Sequence, residues 1–231
     1  MIKKIIIMAA GKGVRMMPLT KTIPKSLIKI NSRPFLYYLI RNIKKAGLID
    51  FAIIIGHKGE MIKKFLKKYG FKATLITQKK RLGTGHALMQ AESFAGNENF
   101  IVLGGDNLWS EKDLKRMVKD DKMNYIGGIE SKEPEIYGVL VSSNSYLKEI
   151  VEKPKKFISN IVNTGLYKFT PGIFDALKKI KKSSRGEYEL TDAVTFLAKK
   201  KRVKIIKIKD FWLDLGKKSD INNIEKFLRQ T

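Results

Sequence analysis

The first thirty residues combine small and cationic residues in an order that could bind phosphate groups. The small residues, which follow an isoleucine-rich run, are Ala9, Ala10, Gly11 and Gly13. Because they carry almost no side chain, their backbone N–H groups can approach an anion closely. Arg15 adds a planar, permanently charged guanidinium, and Lys25 adds a mobile point charge. This set suits a nucleoside triphosphate, whose negative charge must be neutralised during a reaction.

Two common phosphate-binding loops are excluded in this segment. A dinucleotide fingerprint requires a third glycine where Met16 stands, and a Walker loop requires Gly-Lys-Ser/Thr, which is absent. An ordinary turn between a strand and a helix would explain the glycines alone. However, Arg15, the Pro-Leu-Thr of 18–20 and the Pro-Lys of 24–25 occur together at short spacing. Their combination favours a phosphate-binding loop.

Strand and helix patterns alternate through the first half of the chain. The predicted strands are 2–8, 51–55, 71–77 and 100–103, and the predicted helices are 34–46, 60–69 and 84–94. Such βα repeats indicate an α/β fold with a three-layer, Rossmann-like, mostly parallel sheet and right-handed crossovers. Ligands bind such sheets at the carboxyl ends of the strands. The first loop, Gln78 and Asp106 all fall at such ends.

The pattern changes after about residue 122, where short β-type runs are separated by Gly, Pro, Ser and Asn. The predicted strands are 124–130, 137–142, 147–152, 161–169 and 203–208, and the predicted helices are 171–180, 187–200 and 219–228. We interpret this part as an inserted, partly antiparallel region that completes the pocket from its other side. The prediction is a single domain over 1–231, with a nucleotide-binding half over about 1–122.

Charge and composition restrict the class of protein. The chain has 47 Lys and Arg against 22 Asp and Glu, a net charge of +25. The lysines are spread over the polar sides of predicted helices, with no concentrated basic tail and no aromatic stacking motif. This distribution favours a solvated surface that attracts anionic substrates over one that binds nucleic acid.

Other absences in the sequence narrow the class further. Cysteine is absent and the histidines are His57 and His86, which argues against disulfides and against a zinc site. No apolar run approaches the ~20 residues of a membrane span, so membrane insertion is not expected. Met1 leads directly into the first strand, so we expect no signal peptide and a cytoplasmic location.

Eight short motifs stand at predicted strand ends and loops. They are A-A-G-K-G-V-R with P-L-T and P-K, Q-K-K-R-L-G-T-G-H-A, G-G-D, Y-G-V, V-E-K-P, N-T-G-L-Y, G-E-Y-E-L-T-D-A and W-L-D-L-G. In this order they resemble the sugar-1-phosphate nucleotidyltransferases over nearly the whole chain. L-G-T-G-H-A and V-N-T-G resemble bacterial N-acetylglucosamine-1-phosphate uridylyltransferases, whereas T-G-L-Y and E-K-P are equally similar to glucose-1-phosphate thymidylyltransferases.

The resemblance implies transfer of a nucleoside monophosphate from UTP or dTTP to glucose-1-phosphate or N-acetylglucosamine-1-phosphate, which gives a nucleotide sugar and pyrophosphate. It also implies a sugar-binding half over about 123–231. No hexapeptide-repeat domain is present in these residues, so acetyltransferase activity is not expected. The chain departs from the family pattern at Val14, Ser26 and Lys217, which affects the choice of substrate more than the reaction. Whether the protein forms a homo-oligomer is left open.

The resemblance also assigns roles to individual residues. Arg15 would hold the phosphates and the departing pyrophosphate, Lys25 would stabilise charge at the α-phosphorus, and Asp106 and Asp214 would bind Mg²⁺. The expected nucleotide-binding residues are Ala9, Ala10, Gly11, Gly13, Gln78, Gly83 and Thr84. The expected sugar-phosphate-binding residues are Gly138, Glu152, Lys153, Asn163 and Thr164.

Some of these assignments carry a physical reason. The amide of Gln78 can donate and accept at the edge of a pyrimidine, and a larger side chain at Gly83 would collide with the base. We expect His86 to orient this loop and Trp212 to lie in the core. Glu187, Glu189 and Asp192 are expected to be mainly structural.

Three other functions are compatible with parts of the sequence. The same fold could serve a CTP-dependent cytidylyltransferase that acts on phosphocholine or inositol phosphate, or a mannose-1-phosphate guanylyltransferase. A basic, non-catalytic nucleic-acid-binding protein is the alternative from another class. The joint presence of Arg15, Lys25, Asp106 and Asp214 counts against that alternative.

Overall fold

Apolar runs and amphipathic segments alternate along the chain and form strands and helices in turn. A computed structural model of the protein describes residues 2–56 and 58–230, so His57 lies outside the described residues. The strands are β1 Lys4–Ala9, β2 Lys29–Ile30, β3 Arg33–Pro34, β4 Asp50–Ile55, β5 Thr74–Thr77, β6 Phe100–Gly104, β7 Asn107–Trp109, β8 Asn124–Glu130, β9 Gly138–Ser143, β10 Tyr146–Glu152, β11 Ile161–Phe169, β12 Val203–Lys207 and β13 Trp212–Asp214. The helices are α1 Phe35–Lys45, α2 Gly59–Tyr69, α3 Thr84–Met89, α4 Glu92–Ala95, α5 Glu111–Met117, α6 Ile173–Leu177, α7 Leu190–Ala198 and α8 Ser219–Gln230.

Nine of the described strands form one sheet in the order β5-β4-β1-β6-β11-β8-β12-β10-β9. The strands β5, β4, β1 and β6, which stand first in this order, are parallel to one another, and β12 is parallel to β8. β11 is antiparallel to both β6 and β8, and β10 is antiparallel to β12 and β9. The predicted α/β fold with a partly antiparallel second region is confirmed. The sheet as a whole is mixed, because parallel order extends only from β5 to β6 and over the β8–β12 pair.

Helices cover both faces of the sheet and give three layers. Alternate residues of β1 point to opposite faces, so Ile5 and Ile7 belong to one apolar cluster and Ile6 to another. The first cluster contains residues of α1, α2, α5 and α8, and the second contains residues of α3, α6 and α7. The described part of the chain has no helix that is long and apolar enough to span a membrane.

Several predicted elements differ in extent from those observed. The helices predicted over 171–180 and 187–200 are shorter, since α6 is Ile173–Leu177 and α7 is Leu190–Ala198. β5 begins at Thr74 rather than at residue 71, because the Phe71 N–H donates to the Leu66 carbonyl and Gly70 ends α2 in the left-handed conformation. The single helix predicted over 84–94 is two short helices, α3 and α4. The short elements β7, α5 and β13 were not predicted.

Candidate active site

A cavity of about 670 Å³ opens at the carboxyl ends of β1, β5 and β6. Its lining includes ten of the predicted site residues: Ala9, Ala10, Gly11, Gly13, Arg15, Lys25, Gln78, Gly83, Thr84 and Asp106. The other six predicted residues are Gly138, Glu152, Lys153, Asn163, Thr164 and Asp214, and they do not line it. The predicted nucleotide-binding residues and both predicted cationic site residues of the first loop, Arg15 and Lys25, therefore lie around one cavity.

The first loop folds back on itself, so that both of its predicted cationic site residues line the cavity. Gly13 has a φ of +62°, and a Cβ atom there would lie 2.9 Å from the Thr20 side chain and 3.1 Å from the Cβ of Lys25. The Thr20 hydroxyl donates to the Gly13 carbonyl at 2.9 Å. Gly13 is therefore required because the return half of the loop, which carries Lys25, packs against its backbone.

Gln78 follows β5 and is 5% exposed. Its Nε2 atom lies 3.1 Å from the Gly83 carbonyl oxygen and 3.0 Å from Nδ1 of His86. A carbonyl only accepts, so Nε2 donates, and burial lowers the pKa of His86, which favours a neutral ring with an accepting Nδ1. Both amide hydrogens of Gln78 are thus used within the protein, whereas we had predicted that this amide both donates and accepts at a base. His86 contacts the loop as expected.

Gly83 is required by the protein itself and not only by a ligand. Its φ of +101° is one that glycine adopts readily, and a Cβ there would lie 2.5 Å from the Tyr188 carbonyl oxygen. The extended backbone before α7 causes this contact, because the Tyr188 N–H donates to Leu82 and the Tyr188 carbonyl accepts from Gly85. We predicted that a larger side chain at Gly83 would collide with the base. Such a side chain would already collide with the Tyr188 carbonyl when no base is bound. Thr84 begins α3, and its Oγ1 accepts from the Leu190 N–H.

Asp106 and Asp214 are brought together by a small two-stranded sheet. β7 and β13 pair antiparallel, with Asp214 opposite Asn107, and the Leu215 N–H donates to the Asp106 carbonyl at 2.9 Å. We call β7 and β13 the carboxylate ribbon. Lys25 Nζ lies 2.5 Å from Oδ2 of Asp106. The predicted metal ligands and the predicted catalytic lysine are therefore neighbours.

The electrostatics of this cluster indicate a place for a cation. Burial and the neighbouring Asp106 raise the pKa of the Asp214 carboxyl to about 6, against the opposing effects of Lys25 and Arg15. Two adjacent carboxylates supply hard oxygen ligands, which Mg²⁺ prefers. Within 2–56 and 58–230 no three His, Cys, Asp or Glu side chains form a metal-binding group. A cation held by these two carboxylates would take its remaining ligands from phosphate oxygens or water.

We predicted that Trp212 is a core residue, but its indole also forms a hydrogen bond near the predicted metal site. Its indole Nε1–H donates to Oδ1 of Asn107 at 2.7 Å, and Nδ2 of Asn107 donates to Oδ1 of Asp106 at 3.0 Å. The indole ring also packs edge-to-face on Tyr137, with ring centroids 5.2 Å apart. Trp212 therefore connects Asp106 with the segment that leads into β9.

Four predicted sugar-site residues stand together at the ends of neighbouring strands. We call Gly138, Glu152, Lys153 and Asn163 the β9–β11 wall. Gly138 pairs with Glu152, a Cβ at Gly138 would lie 3.1 Å from Oε2 of Glu152, and the Lys153 N–H donates to the Tyr137 carbonyl. The Asn163 amide is partly used within the protein, since Nδ2 donates to the Tyr167 hydroxyl and Oδ1 accepts from the Gly165 N–H.

The side chain of Thr164 does not face this wall. It is 1% exposed, and its hydroxyl donates to the Gly127 carbonyl of β8 at 3.0 Å. Alternate residues of a strand point to opposite faces, so Asn163 and Thr164 cannot both present their side chains to one ligand. The predicted role of Thr164 in sugar binding is therefore not retained.

Four polar or charged residues that the sequence analysis did not select as site residues also line the cavity: Lys12, Ser26, Arg81 and Glu187. Lys12, Ser26 and Arg81 stand within or directly beside the motifs that carry the selected residues, so their position along the chain was available as a signal. Glu187 was expected to be structural. It is placed in the cavity because the Leu82–Tyr188 hydrogen bond brings its segment against Gly83.

Comparison with known proteins agrees with this geometry. The family described as Nucleotidyl transferase matches residues 4–231. The chain belongs to this nucleotidyl transferase family. The Sulfurisphaera tokodaii bifunctional sugar-1-phosphate nucleotidylyltransferase/acetyltransferase is 38% identical over 227 residues, which are 97% of this chain and 55% of that protein. The UTP–glucose-1-phosphate uridylyltransferase AglF of Haloferax volcanii is 32% identical over 235 residues, with 97% of this chain and 96% of that protein covered.

A solved structure gives the same result at the level of the fold. The crystal structure of UDP-glucose pyrophosphorylase complexed with UDP-glucose matches this nucleotidyl transferase family member with a TM-score of 0.89 and 28% sequence identity. The match covers 100% of this chain and 99% of that chain. The chain spans 52–55% of the length of the three curated relatives with which it is 38% identical.

Proposed function

We propose that the protein transfers a nucleoside monophosphate from UTP or dTTP to the phosphate of a sugar-1-phosphate and releases pyrophosphate. The observation that carries the proposal is the cluster of Arg15, Lys25, Asp106 and Asp214. Arg15, Lys25 and Asp106 line a nucleotide-sized cavity, and the Trp212–Tyr137 contact connects this cluster with the β9–β11 wall. Relatives whose names include sugar-1-phosphate nucleotidyltransferases support the same reaction.

The base would lie against Gln78 and Gly83. Because Nε2 of Gln78 is used by Gly83 and His86, the amide presents Oε1, an acceptor, to a ligand. An acceptor matches the N3–H of uracil or thymine, which supports UTP or dTTP. It also matches the exocyclic amine of cytosine, so CTP is tested beside them.

The reaction needs no nucleophilic side chain, since the attacking phosphate oxygen of the sugar phosphate is already an anion. An oxygen of that phosphate forms a bond to the α-phosphorus of the triphosphate, and the bond from the α-phosphorus to the bridging oxygen of pyrophosphate breaks. The protein must align two polyanions and stabilise the charge that builds at phosphorus. Arg15 would bind the phosphates and pyrophosphate, and Lys25 would donate to the α-phosphate.

The residues at the carboxylate ribbon fit a divalent cation, and we propose that Asp106 and Asp214 hold Mg²⁺. The bound cation would neutralise phosphate charge and polarise the phosphorus centre. In the structure the Lys25 ammonium already contacts Oδ2 of Asp106, which is a position that a cation can take. Lys25 would then be free to reach the α-phosphate.

The β9–β11 wall would bind the sugar phosphate. The Glu152 carboxylate would accept hydrogen bonds from sugar hydroxyls, and Lys153 would pair with the phosphate. Asn163 retains one amide hydrogen and would contribute that donor.

Pyrophosphate release with Mg²⁺ tests the proposal. UTP, dTTP, CTP, GTP and ATP are each paired with glucose-1-phosphate and N-acetylglucosamine-1-phosphate, and then with mannose-1-phosphate, phosphocholine and inositol phosphate. We expect turnover with UTP or dTTP that is lost in Lys25→Ala and kept in Lys29→Ala, because Lys29 is an exposed lysine outside the cavity. Turnover with CTP and phosphocholine or inositol phosphate alone, with GTP and mannose-1-phosphate, or salt-sensitive nucleic-acid binding without turnover would each contradict it.

A further inference from the structure

A chain of hydrogen bonds enters the predicted metal site from the side opposite Lys25. Trp212 Nε1 donates to Oδ1 of Asn107 at 2.7 Å, and Asn107 Nδ2 donates to Oδ1 of Asp106 at 3.0 Å. The other carboxylate oxygen of Asp106, Oδ2, accepts from Lys25 Nζ at 2.5 Å. The two oxygens of Asp106 thus have different partners.

The direction of these bonds is fixed by the indole. An indole N–H can only donate, so it must face the carbonyl oxygen of the Asn107 amide. A reversed amide would place Nδ2 against the indole donor and its own oxygen against the Asp106 carboxylate, which would lose both bonds. The Asn107 amide therefore has one favourable orientation, in which its N–H group points to Oδ1 of Asp106.

The consequence for Asp106 is that its carboxylate cannot rotate freely. Oδ1 is held by the amide, while Oδ2 is directed towards the cationic side of the site. This restraint opposes the repulsion between the Asp106 and Asp214 carboxylates, which also raises the pKa of Asp214.

The other end of the chain reaches the β9–β11 wall. The Trp212 ring packs on Tyr137, and the Tyr137 carbonyl accepts the N–H of Lys153. Tyr137 directly precedes Gly138, the first residue of β9. A displacement of Trp212 would therefore change the position of both the Asp106 carboxylate and the β9–β11 wall.

We propose that Trp212 and Asn107 are positioning residues that orient the Asp106 carboxylate so that its Oδ2 faces the divalent cation. Through Trp212 they also couple the position of this carboxylate to that of the β9–β11 wall. The inference rests on the proposed function, since it assumes that Asp106 binds a metal ion. Loss of a partner in the outer shell of a metal site typically weakens metal binding about 10- to 100-fold. We expect an effect in this range for Asn107→Leu and a smaller one for Trp212→Phe, which keeps a ring against Tyr137.

The test has two measurements. The affinity for Mn²⁺ is measured by electron paramagnetic resonance on the protein without nucleotide. The kcat and the KM for the sugar phosphate are measured in the pyrophosphate-release assay. Trp109→Phe is the matched control. Trp109 pairs with Trp212 in the carboxylate ribbon, is fully buried, and its indole N–H has no hydrogen-bond partner among the described residues. Trp109→Phe therefore removes an indole from the carboxylate ribbon without breaking a hydrogen bond of the Trp212–Asn107–Asp106 chain.

We expect Mn²⁺ affinity to fall in Asn107→Leu and Trp212→Phe, to fall no further in the double variant, and to be retained in Trp109→Phe. The double variant separates a shared hydrogen-bond chain from two independent packing losses, which would add. Trp212→Ala, which removes the ring that packs on Tyr137, should also raise the KM for the sugar phosphate, and Trp212→Phe should raise it less.

Three results would overturn the inference: unchanged Mn²⁺ affinity in the two single variants, additive losses in the double variant, or an equal loss in Trp109→Phe. A wild-type protein that releases pyrophosphate but binds no Mn²⁺ would also overturn it and leave the proposed reaction intact. A wild-type protein that does neither would remove the proposed function as well.

Discussion

Gly83 offers a quantitative test of how the nucleotide cavity is built. At φ +101° and ψ 176°, alanine is expected to cost about 1–3 kcal/mol in backbone strain. Its Cβ would also lie 2.5 Å from the Tyr188 carbonyl oxygen, so this backbone must move. The movement would weaken the Leu82–Tyr188 and Tyr188–Gly85 hydrogen bonds, which are worth about 0.5–1.5 kcal/mol each.

We therefore expect Gly83→Ala to lower the free energy of unfolding by about 2–5 kcal/mol. Gly70→Ala is the matched control, because Gly70 has a φ of +67° but no atom within 4 Å of an added Cβ. Strain alone predicts a loss of about 1–2 kcal/mol there. Urea denaturation of both variants gives the two values.

The same variants separate stability from ligand binding. Gly83→Ala should raise the KM for the nucleoside triphosphate, because Gln78 donates to the Gly83 carbonyl and would move with it. Gly70→Ala should leave this KM unchanged. If Gly83→Ala were no less stable than Gly70→Ala and bound nucleotide normally, the assigned contact with Tyr188 would be wrong.

Three further predictions concern the catalytic cluster and the wall. Asp214→Asn should stabilise the metal-free protein at pH 8 by about 1–3 kcal/mol. The pKa of the Asp214 carboxyl is raised to about 6 in the folded protein, so its ionisation lowers stability as the pH rises from about 4 to about 6, and the full cost is present above that range. The gain in the variant should therefore vanish by about pH 4 in thermal denaturation with EDTA. A gain that did not depend on pH would contradict this account. Lys25→Met should lower kcat for pyrophosphate release by about 100-fold or more. It should not weaken Mn²⁺ binding, measured by paramagnetic resonance, because the Lys25 ammonium and a bound cation would share Oδ2 of Asp106. Weaker Mn²⁺ binding in this variant would argue against the shared oxygen. Thr164→Val should lower the free energy of unfolding by about 1 kcal/mol, because the Gly127 carbonyl loses its donor, yet leave the KM for the sugar phosphate unchanged. A raised KM would restore Thr164 to the sugar site.

Sequence patterns predicted the parts of this protein whose signals are local. β8 and β11 have the predicted bounds, 124–130 and 161–169, because each is a short run of β-type residues that turn residues flank. The first loop was found for a similar reason, since glycines, Arg15 and Lys25 lie within a short segment. Ten predicted residues line one cavity because each lies at the carboxyl end of a strand in the parallel part of the sheet or in the segment that follows it.

The features that were missed depend on distant partners. The carboxylate ribbon pairs two three-residue strands, and nothing in 107–109 alone indicates its pairing with 212–214. The side of β11 on which Thr164 lies follows from its neighbours β8 and β6, which the sequence does not identify. The donors of Gln78 are used by Gly83 and His86 only because the loop folds over the end of β5. Each of these facts is a tertiary contact.

The carboxylate ribbon also bears on the order in which the protein matures during synthesis. Asp106 and the first loop leave the ribosome before Asp214, which follows every strand of the nine-stranded sheet. A nascent chain can thus assemble β1, β4, β5 and β6 before the second carboxylate exists. Nucleotide held by such an intermediate would meet an incomplete cation site. On the proposed function, the cation site is complete only once β13 pairs with β7.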